Sequence, residues 1–302
     1  MNNYAIVAEG LSKRFGKKQV LTDFSFTIDA VGITGLLGRN GSGKTTLMKI
    51  CAGHITKTSG ELKVWGATPL NNLSARSRLV YSSHDVSYSG GLTLGVILAD
   101  YQLLFPDFDM LFAQKLLDYF TINVNGKYSK ASQGVKSLFN FICALAARTP
   151  LTMFDEPTLG MDTTVRKAVC EILIREYNEH PRAFVISSHL MSEMESFLDA
   201  VMIIDQGNLV LHESVDTMRQ KAYQLEGEAE VLNAFIAGRN VIYRTRSELT
   251  NLAIIYEAAC DQTIIEACAA GLLLKGLSPE SLYMYLSRET KGGELACLWE
   301  TP

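Results

Sequence analysis

The stretch GRNGSGKT, from Gly38 to Thr45, most constrains what this chain can fold into. It follows the apolar segment GITGLLG, typical of a buried strand, and precedes TTLMKICAG, which has helical spacing. The pattern G-x-x-x-x-G-K-[ST] between a strand and a helix is typical of a phosphate-binding loop, or P-loop. In such a loop, backbone N–H groups and the positive end of the helix dipole face the phosphates.

The side chains of this loop suggest separate contacts with a nucleotide. The Lys44 ammonium would reach the β- and γ-phosphates, and the Thr45 hydroxyl would hold Mg²⁺. We expect the other contacts from Gly38, Asn40, Gly41, Ser42, Gly43 and Thr46.

The segment LTMFDE supplies a second acidic element. Its apolar residues predict a strand that ends in Asp155, which can orient the shell of a Mg²⁺ ion. Glu156 comes next, where it can polarise a water for attack on the γ-phosphate. A strand-end Asp-Glu pair alone would indicate a surface turn. Beside a P-loop it predicts a nucleoside triphosphatase site, with Lys44 and Glu156 as catalytic candidates.

The bulk composition argues against nucleic-acid binding, cysteine-based metal or disulfide sites, and membrane-spanning segments. The 302 residues carry a formal net charge of −4, and no basic run is longer than Lys17-Lys18, so we expect no nucleic-acid partner. The six cysteines form no C-x-x-C pair, which favours small buried thiols over disulfides or metal ligation. No apolar run approaches the ~20 residues that span a bilayer. We therefore expect a soluble chain whose membrane role, if any, needs a separate subunit.

Strand and helix patterns alternate through much of the chain, which predicts parallel strands joined by crossovers. Residues 91–147 form a long helical section. The composition changes after Lys221, and we place a domain boundary near Leu225, giving residues 1–224 and 225–302. Near the end, SPESLYMYLSRE predicts a helix with Ser278 as N-cap and Pro279 at its first position.

The P-loop and LTMFDE, together with DEPTLGMD and ISSHL, make the chain resemble the ATP-binding subunit of bacterial ABC transporters from Tyr4 to about Ala222. The resemblance implies a P-loop α/β fold with a RecA-like, mostly parallel sheet, an antiparallel β subdomain, a helical signature subdomain and a small C-terminal α/β appendage. It implies ATP and Mg²⁺ as cofactors. The implied partners are an integral-membrane permease and a second ATP-binding subunit. The implied location is cytoplasmic, peripheral on the inner face of the cell membrane.

Three more residues take roles from this resemblance. Phe15, in KRFG, matches the aromatic residue that stacks on adenine, which is usually a tyrosine. Asp162, in LGMD, matches the loop that crosses between the two subunits. His189, in SSHL, matches the switch histidine that contacts the γ-phosphate and supports the attacking water.

The first departure from the family pattern is His84, which stands where the family usually has a glutamine at the end of the strand. A glutamine offers an amide oxygen to Mg²⁺, and imidazole is a poor replacement because Mg²⁺ prefers oxygen ligands. We therefore expect the coupling of this position to Mg²⁺ to be weakened or rearranged. The alternatives are a water-mediated contact and a histidine that touches no metal.

The second departure lies in YSKASQGVKS. The spacing to Asp155 favours Ser132 over Ser129 as the serine of the family's LSGGQ pattern. Ser132 and Gly134 remain, whereas Gln133 and Val135 replace a glycine and a glutamine. Ser132 stands at the start of an apolar helix, a position that attracts anions. We expect Ser132 and Gly134 to contact nucleotide held by a second subunit, with a weakened grip.

The resemblance is strongest to bacterial subunits that are encoded separately from their permease and serve export of peptides, antibiotics or lipids. The chain would then power transport by ATP-driven dimerisation. A homodimer and a heterodimer both remain open. The alternative functions are a soluble ABC ATPase outside transport and a regulatory ATP-binding subunit with low turnover.

Overall fold

The computed structural model describes residues 3–88, 90–188, 197–246 and 251–286. The chain divides into two compact units, Met1–His212 and Glu213–Pro302. The strands of the first unit are β1 (Tyr4–Phe15), β2 (Lys18–Asp29), β3 (Gly32–Leu37), β4 (Ser59–Val64), β5 (Leu79–Ser83), β6 (Leu151–Asp155), β7 (Ala183–Ser187), β8 (Ala200–Asp205) and β9 (Asn208–Ser214). Its helices are α1 (Lys44–Cys51), α2 (Leu73–Arg76), α3 (Leu94–Leu104), α4 (Met110–Tyr119), α5 (Gln133–Ala146) and α6 (Thr163–Glu179).

A mostly parallel sheet forms the centre of the first unit, in the order β5-β6-β7-β3-β8-β9. The register aligns the strand ends, because Ser83 pairs with Asp155, Asp155 with Ser187, and Ser187 with Leu36. The residues that follow these strands therefore emerge side by side at one edge. The predicted α/β fold is confirmed, and its site-bearing strands share this edge.

A second sheet is antiparallel and three-stranded, in the order β2-β1-β4. The long β1–β2 hairpin turns at Gly16 and Lys17. One apolar core includes Phe24 of β2, Met48 of α1 and Met153 of β6. Helix α1 is thereby packed between the two sheets, which holds the loop that precedes it.

Helices α3, α4 and α5 lie within residues 91–147, where the sequence predicts helices. Asp109 caps α4 by accepting a hydrogen bond from the Phe112 N–H at 2.8 Å. Every residue of α5 from Ser137 to Ala146 is buried. Such an all-round apolar helix is a core element, which explains its unbroken apolar sequence.

The second unit contains α7 (Val215–Lys221), β10 (Ala222–Gly227), α8 (Ala229–Phe235), β11 (Val241–Arg246), β12 (Asn251–Tyr256), α9 (Asp261–Ala269), β13 (Leu273–Gly276) and α10 (Pro279–Leu286). Its sheet is antiparallel, in the order β11-β12-β10-β13. The boundary predicted near Leu225 falls inside β10, a central strand of this sheet. Ser278 caps α10 as predicted, because its Oγ accepts the Ser281 N–H at 3.0 Å.

No helix among the described residues combines the length and the apolar character that crossing a bilayer requires.

An ion cluster of low exposure joins α6 to the strand β7 beside it. The Glu176 carboxylate accepts hydrogen bonds from Arg182 at 3.0 Å and from Arg148 at 3.3 Å. The side chains of Glu176 and Arg182 are only 2% and 7% exposed. Arg182 also donates to the Leu145 carbonyl at 3.0 Å, which ties this cluster to the end of α5.

We expect Glu176→Ala to lower the free energy of unfolding by about 3 kcal/mol, because it leaves the buried Arg182 charge without its partner. Urea denaturation of the two proteins measures this difference. Glu179→Ala is the matched control, since Glu179 lies on the same helix but is exposed. It should change stability by no more than ~0.5 kcal/mol. Equal effects of the two substitutions would contradict a structural role for this cluster.

Candidate functional site: a nucleotide cavity at the strand ends

The loop from Gly38 to Lys44 connects β3 to α1 and is shaped by its glycines. Gly43 has a φ of 115°, and a Cβ there would lie 2.6 Å from Leu21 Cδ2. Only glycine avoids both the strained backbone and this contact. Gly43 also precedes α1 without a capping side chain, so the first N–H groups of the helix are left for a ligand.

Lys44 begins α1 and is buried beneath the loop. Its Nζ donates to the Gly38 carbonyl at 2.6 Å and lies 3.4 Å from that of Arg39. Burial lowers the pKa of Lys44, whereas the negative charges of Glu156 and Asp155 act to raise it. The cation is therefore placed among backbone carbonyls and near two carboxylates, ready to meet an anion.

Asp155, at the end of β6, is fully buried and held from two neighbouring strands. Its Oδ1 accepts a hydrogen bond from Ser187 Oγ at 2.6 Å, and its Oδ2 accepts one from the Tyr81 hydroxyl at 3.0 Å. Burial raises the pKa of Tyr81, and so does the Asp155 charge. This keeps the phenol protonated as a donor. Sequence reasoning missed both donors, because strand register decides which side chains meet.

Glu156 adopts a left-handed backbone with a φ of 52°, uncommon for a residue other than glycine. Its N–H lies 3.0 Å from Ser187 Oγ and 3.1 Å from the Ser187 carbonyl. Such strain concentrates at functional sites when the surroundings hold it in place. The left-handed conformation of Glu156 turns the chain away from β6 directly after Asp155.

A cavity of about 670 Å³ opens where these elements meet. Eight predicted residues line it: Asn40, Gly41, Gly43, Lys44, Thr45, Thr46, His84 and Glu156. Four residues that sequence reasoning missed also line it: Lys18, Val20, Arg39 and Leu159. Arg39 and Leu159 lie inside the quoted motifs and could have been found there. Lys18 and Val20 lie in the β1–β2 hairpin, next to Phe15.

Other predicted residues lie outside the cavity lining. Gly38 and Ser42 are buried parts of the loop itself. The buried Ser42 Oγ has no hydrogen-bond partner among the described residues. Phe15 is 49% exposed, with Lys13 Nζ 4.5 Å from its ring centre. Its stacking on adenine stays a prediction. His189 lies outside the described residues.

The predicted signature residues form a second, separate group. Ser132 caps α5, with its Oγ accepting the Val135 N–H at 3.3 Å, and Asp162 caps α6 by accepting two N–H bonds near 3.0 Å. Gly134 fits against the Gly160 carbonyl, which would lie 2.5 Å from an added Cβ. Gly134, the glycine that this chain shares with the family pattern, is thus required by packing within this chain.

His84 lines the cavity at the end of β5. Its Nε2 lies 3.0 Å from Asp85 Oδ1, and its buried Nδ1 has no hydrogen-bond partner among the described residues. The loop is anchored to α5, because Asn140 donates to the Ser83 carbonyl at 3.3 Å. Tyr128 donates to the Val86 carbonyl at 3.2 Å. These two hydrogen bonds link the loop of His84 to the helical section.

A P-loop, a buried aspartate at a parallel strand end and a glutamate after it define a P-loop nucleoside triphosphatase. The family model for ABC transporters matches residues 21–159. This match covers the P-loop and the Asp155–Glu156 pair, and it identifies an ABC transporter ATPase domain within this chain.

Two relatives and one solved structure illustrate this similarity. The ABC transporter ATP-binding protein YtrB of Bacillus subtilis is 28% identical over 72% of this chain and 74% of its own length. The bacitracin transport ATP-binding protein BcrA of Enterococcus faecalis is 26% identical over 97% of this chain and 98% of its own. A dimeric ATP-binding cassette solved in a post-hydrolysis state with ADP and phosphate has a TM-score of 0.59 and 16% identity, covering 69% of this chain and 98% of its own. The solved structure supports the fold.

We expect Lys44→Ala to weaken ATP binding at least tenfold, because it removes the cation that the loop holds toward the phosphates. Titration with a fluorescent ATP analogue measures the dissociation constant. Lys49→Ala is the matched control, since Lys49 lies on the same helix outside the cavity lining. Unchanged affinity in the Lys44 variant would contradict this nucleotide site.

Proposed function

We propose that this chain powers export of a peptide, antibiotic or lipid-like substrate through a separate permease, and that ATP closes it against a second ATP-binding subunit. The observation that carries the proposal is one cavity lined by Lys44, Thr45 and Glu156 at aligned strand ends. These residues supply a phosphate cation, a metal-binding hydroxyl and a base for water. The near full-length similarity to BcrA supports a substrate of the antibiotic class.

The residues present fit a divalent cation that enters with the nucleotide. Thr45 offers a hydroxyl at the cavity wall, and His84 lines the same cavity, with its Nδ1 buried and without a hydrogen-bond partner among the described residues. Asp155 lies behind them, with both oxygens already accepting hydrogen bonds, so it acts on the ion's water shell. The bound cation would neutralise charge on the phosphates.

In the hydrolysis step, Glu156 receives a proton from the water that attacks the γ-phosphate. Lys44 holds the phosphate oxygens, and the first N–H groups of α1 add their partial positive charge. Asp155 fixes the end of β6 and thereby the position of Glu156. His189 retains its predicted role as the switch residue that supports this water.

The signature residues serve the second subunit. Ser132 sits at the N-terminus of α5, a helix of 14 residues whose dipole favours an anion there. Gly134 and Asp162 border the same surface through the close contact of Gly134 with Gly160. ATP held by one subunit would therefore draw in the other subunit's helix, and loss of the γ-phosphate would release it.

We expect Glu156→Gln to bind ATP but release phosphate at least a hundredfold more slowly than the natural chain, because the amide cannot accept the water's proton. Trapped with ATP, it should elute as a dimer on size exclusion. Co-expressed with its permease, it should lose any protection against peptide antibiotics. Phosphate release, elution volume and growth inhibition measure these effects.

Glu179→Gln is the control, since it removes an exposed carboxylate on α6. A Glu156 variant that hydrolyses ATP at the natural rate would contradict the catalytic role. One that stays monomeric at high concentration would contradict the homodimer and leave the heterodimer. Protection that survives loss of hydrolysis would contradict ATP-powered export.

The helical section offers a surface for the permease. Leu103 and Leu104 at the end of α3 are 84% and 69% exposed, and Leu111 at the start of α4 is 63% exposed. Aliphatic side chains this exposed and this close in sequence are typical of a protein contact surface. Their helices pack on α5, which is hydrogen-bonded to the loop of His84. Movement at the nucleotide can thus reach this surface.

We expect Leu103→Asp to remove the chain from the membrane fraction of source cells without changing ATP affinity, because it places a charge in the apolar contact with the permease. Leu73→Asp is the matched control, since Leu73 is 85% exposed but lies outside the helical section. Immunoblotting of membrane and soluble fractions measures the distribution. Equal membrane recovery of the two variants would contradict this docking surface.

A further inference from the structure

Lys13 is a buried cation that lies against the ring of Phe15 on strand β1. The two residues are two positions apart, so their side chains leave the same face of the strand. The Lys13 Nζ lies over the Phe15 ring, 4.5 Å from its centre, a distance typical of a cation–π contact. Lys13 is only 7% exposed, whereas Phe15 is 49% exposed. The cation therefore covers one face of a ring that remains half open.

The other contacts of Lys13 fix where its ammonium lies. A lysine is rarely this buried unless its charge has partners. Here the Nζ also donates a hydrogen bond to the Thr56 carbonyl, in the segment that follows α1. The neighbouring backbone is tied to the same segment, because the Arg14 N–H donates to Thr58 Oγ1 at 2.9 Å. Lys13 thus connects the Phe15 ring to anchored backbone.

The β1–β2 hairpin holds this ring beside the nucleotide cavity. Phe15 pairs with Lys18 across the hairpin, and Lys18 lines the cavity. A shift in the pairing register leaves Val20 as an extra residue in β2, and Val20 lines the cavity as well. Leu21 packs against the P-loop, since its Cδ2 would lie 2.6 Å from a Cβ added at Gly43. The hairpin that carries the ring is therefore fitted to the phosphate-binding loop.

We propose that Lys13 is a positioning residue for the base of the nucleotide, and that it orders the Phe15 ring so that the open face can stack on adenine. Phenylalanine has no hydroxyl to hydrogen-bond, so the ammonium supplies the electrostatic contact that orders this half-exposed ring. A ring that is ordered before binding loses less conformational entropy when the base arrives. This inference rests on the proposed nucleotide site and on the stacking predicted for Phe15, and it assigns a role to a residue outside the cavity lining.

The test measures two dissociation constants by titration calorimetry of the full chain, one for a non-hydrolysable ATP analogue and one for inorganic tripolyphosphate, each with Mg²⁺. Lys13→Met keeps a straight, apolar side chain and removes the ammonium. We expect it to weaken binding of the analogue about fivefold and to leave tripolyphosphate binding unchanged, because only the analogue carries a base. Lys13→Arg restores a cation over the ring and should return the affinity to within about twofold of that of the natural chain.

Lys63→Met is the matched control, since Lys63 is an exposed lysine on β4 of the same antiparallel sheet. It should change neither dissociation constant. If Lys13→Met does not fold, Lys13→Gln takes its place with the same expected result, because glutamine keeps a donor for the Thr56 carbonyl without the charge.

A double substitution separates positioning of the ring from general support of the fold. Phe15→Leu should weaken binding of the analogue, and adding Lys13→Met should weaken it by less than about twofold more, because Lys13 acts only through the ring. The proposal is overturned, while the nucleotide site still stands, by unchanged affinity of either single variant for the analogue, by an equal loss of tripolyphosphate binding, or by an equal effect of Lys13→Met without the ring. A natural chain that binds neither ligand overturns the nucleotide site as well.

Discussion

The register of four neighbouring parallel strands is the constraint on which the rest of this structure depends. Ser83, Asp155, Ser187 and Leu36 occupy one row across β5, β6, β7 and β3. A one-residue slip in any pair would turn every side chain of that strand to the opposite face. The carboxyl ends of parallel strands share one edge, where ligands bind in open α/β sheets. His84, Glu156 and the P-loop leave the sheet together because this row is aligned.

The aligned edge also brings buried groups of opposite charge near one another. Asp155 is fully buried, yet each carboxylate oxygen accepts a hydrogen bond. Lys44 is buried as well, and the lowering of its pKa shows that desolvation outweighs the attraction of the nearby carboxylates. The loop therefore holds its cation at a cost in free energy. A triphosphate offsets that cost, which makes the cation a stronger anion binder than an exposed lysine.

Sequence reasoning predicted the features that local chemistry determines. The P-loop, the strand ending at Asp155, and the caps Ser132 and Ser278 follow from short patterns whose geometry is set within a few residues. It failed to find the contacts that long-range packing determines. Tyr81 and Ser187 reach Asp155 only through strand register, and Lys18 and Val20 reach the cavity only through the course of the β1–β2 hairpin. The boundary near Leu225 was inferred from composition, which could not reveal that β10 pairs with β12 and β13.

Helix α5 connects the two roles that the resemblance assigns to one subunit. Its first turn presents Ser132 and packs Gly134 against Gly160, in the loop that runs from Glu156 to Asp162. About two turns after Ser132, Asn140 donates a hydrogen bond to the loop of His84. The helix is buried along most of its length. Under the proposed function, a change in the loop of His84 on nucleotide binding would therefore reach Ser132, the residue proposed to meet a second subunit's nucleotide. This connection uses packing and two hydrogen bonds, and the side chain of Gln133 packs beside Gly160 within it.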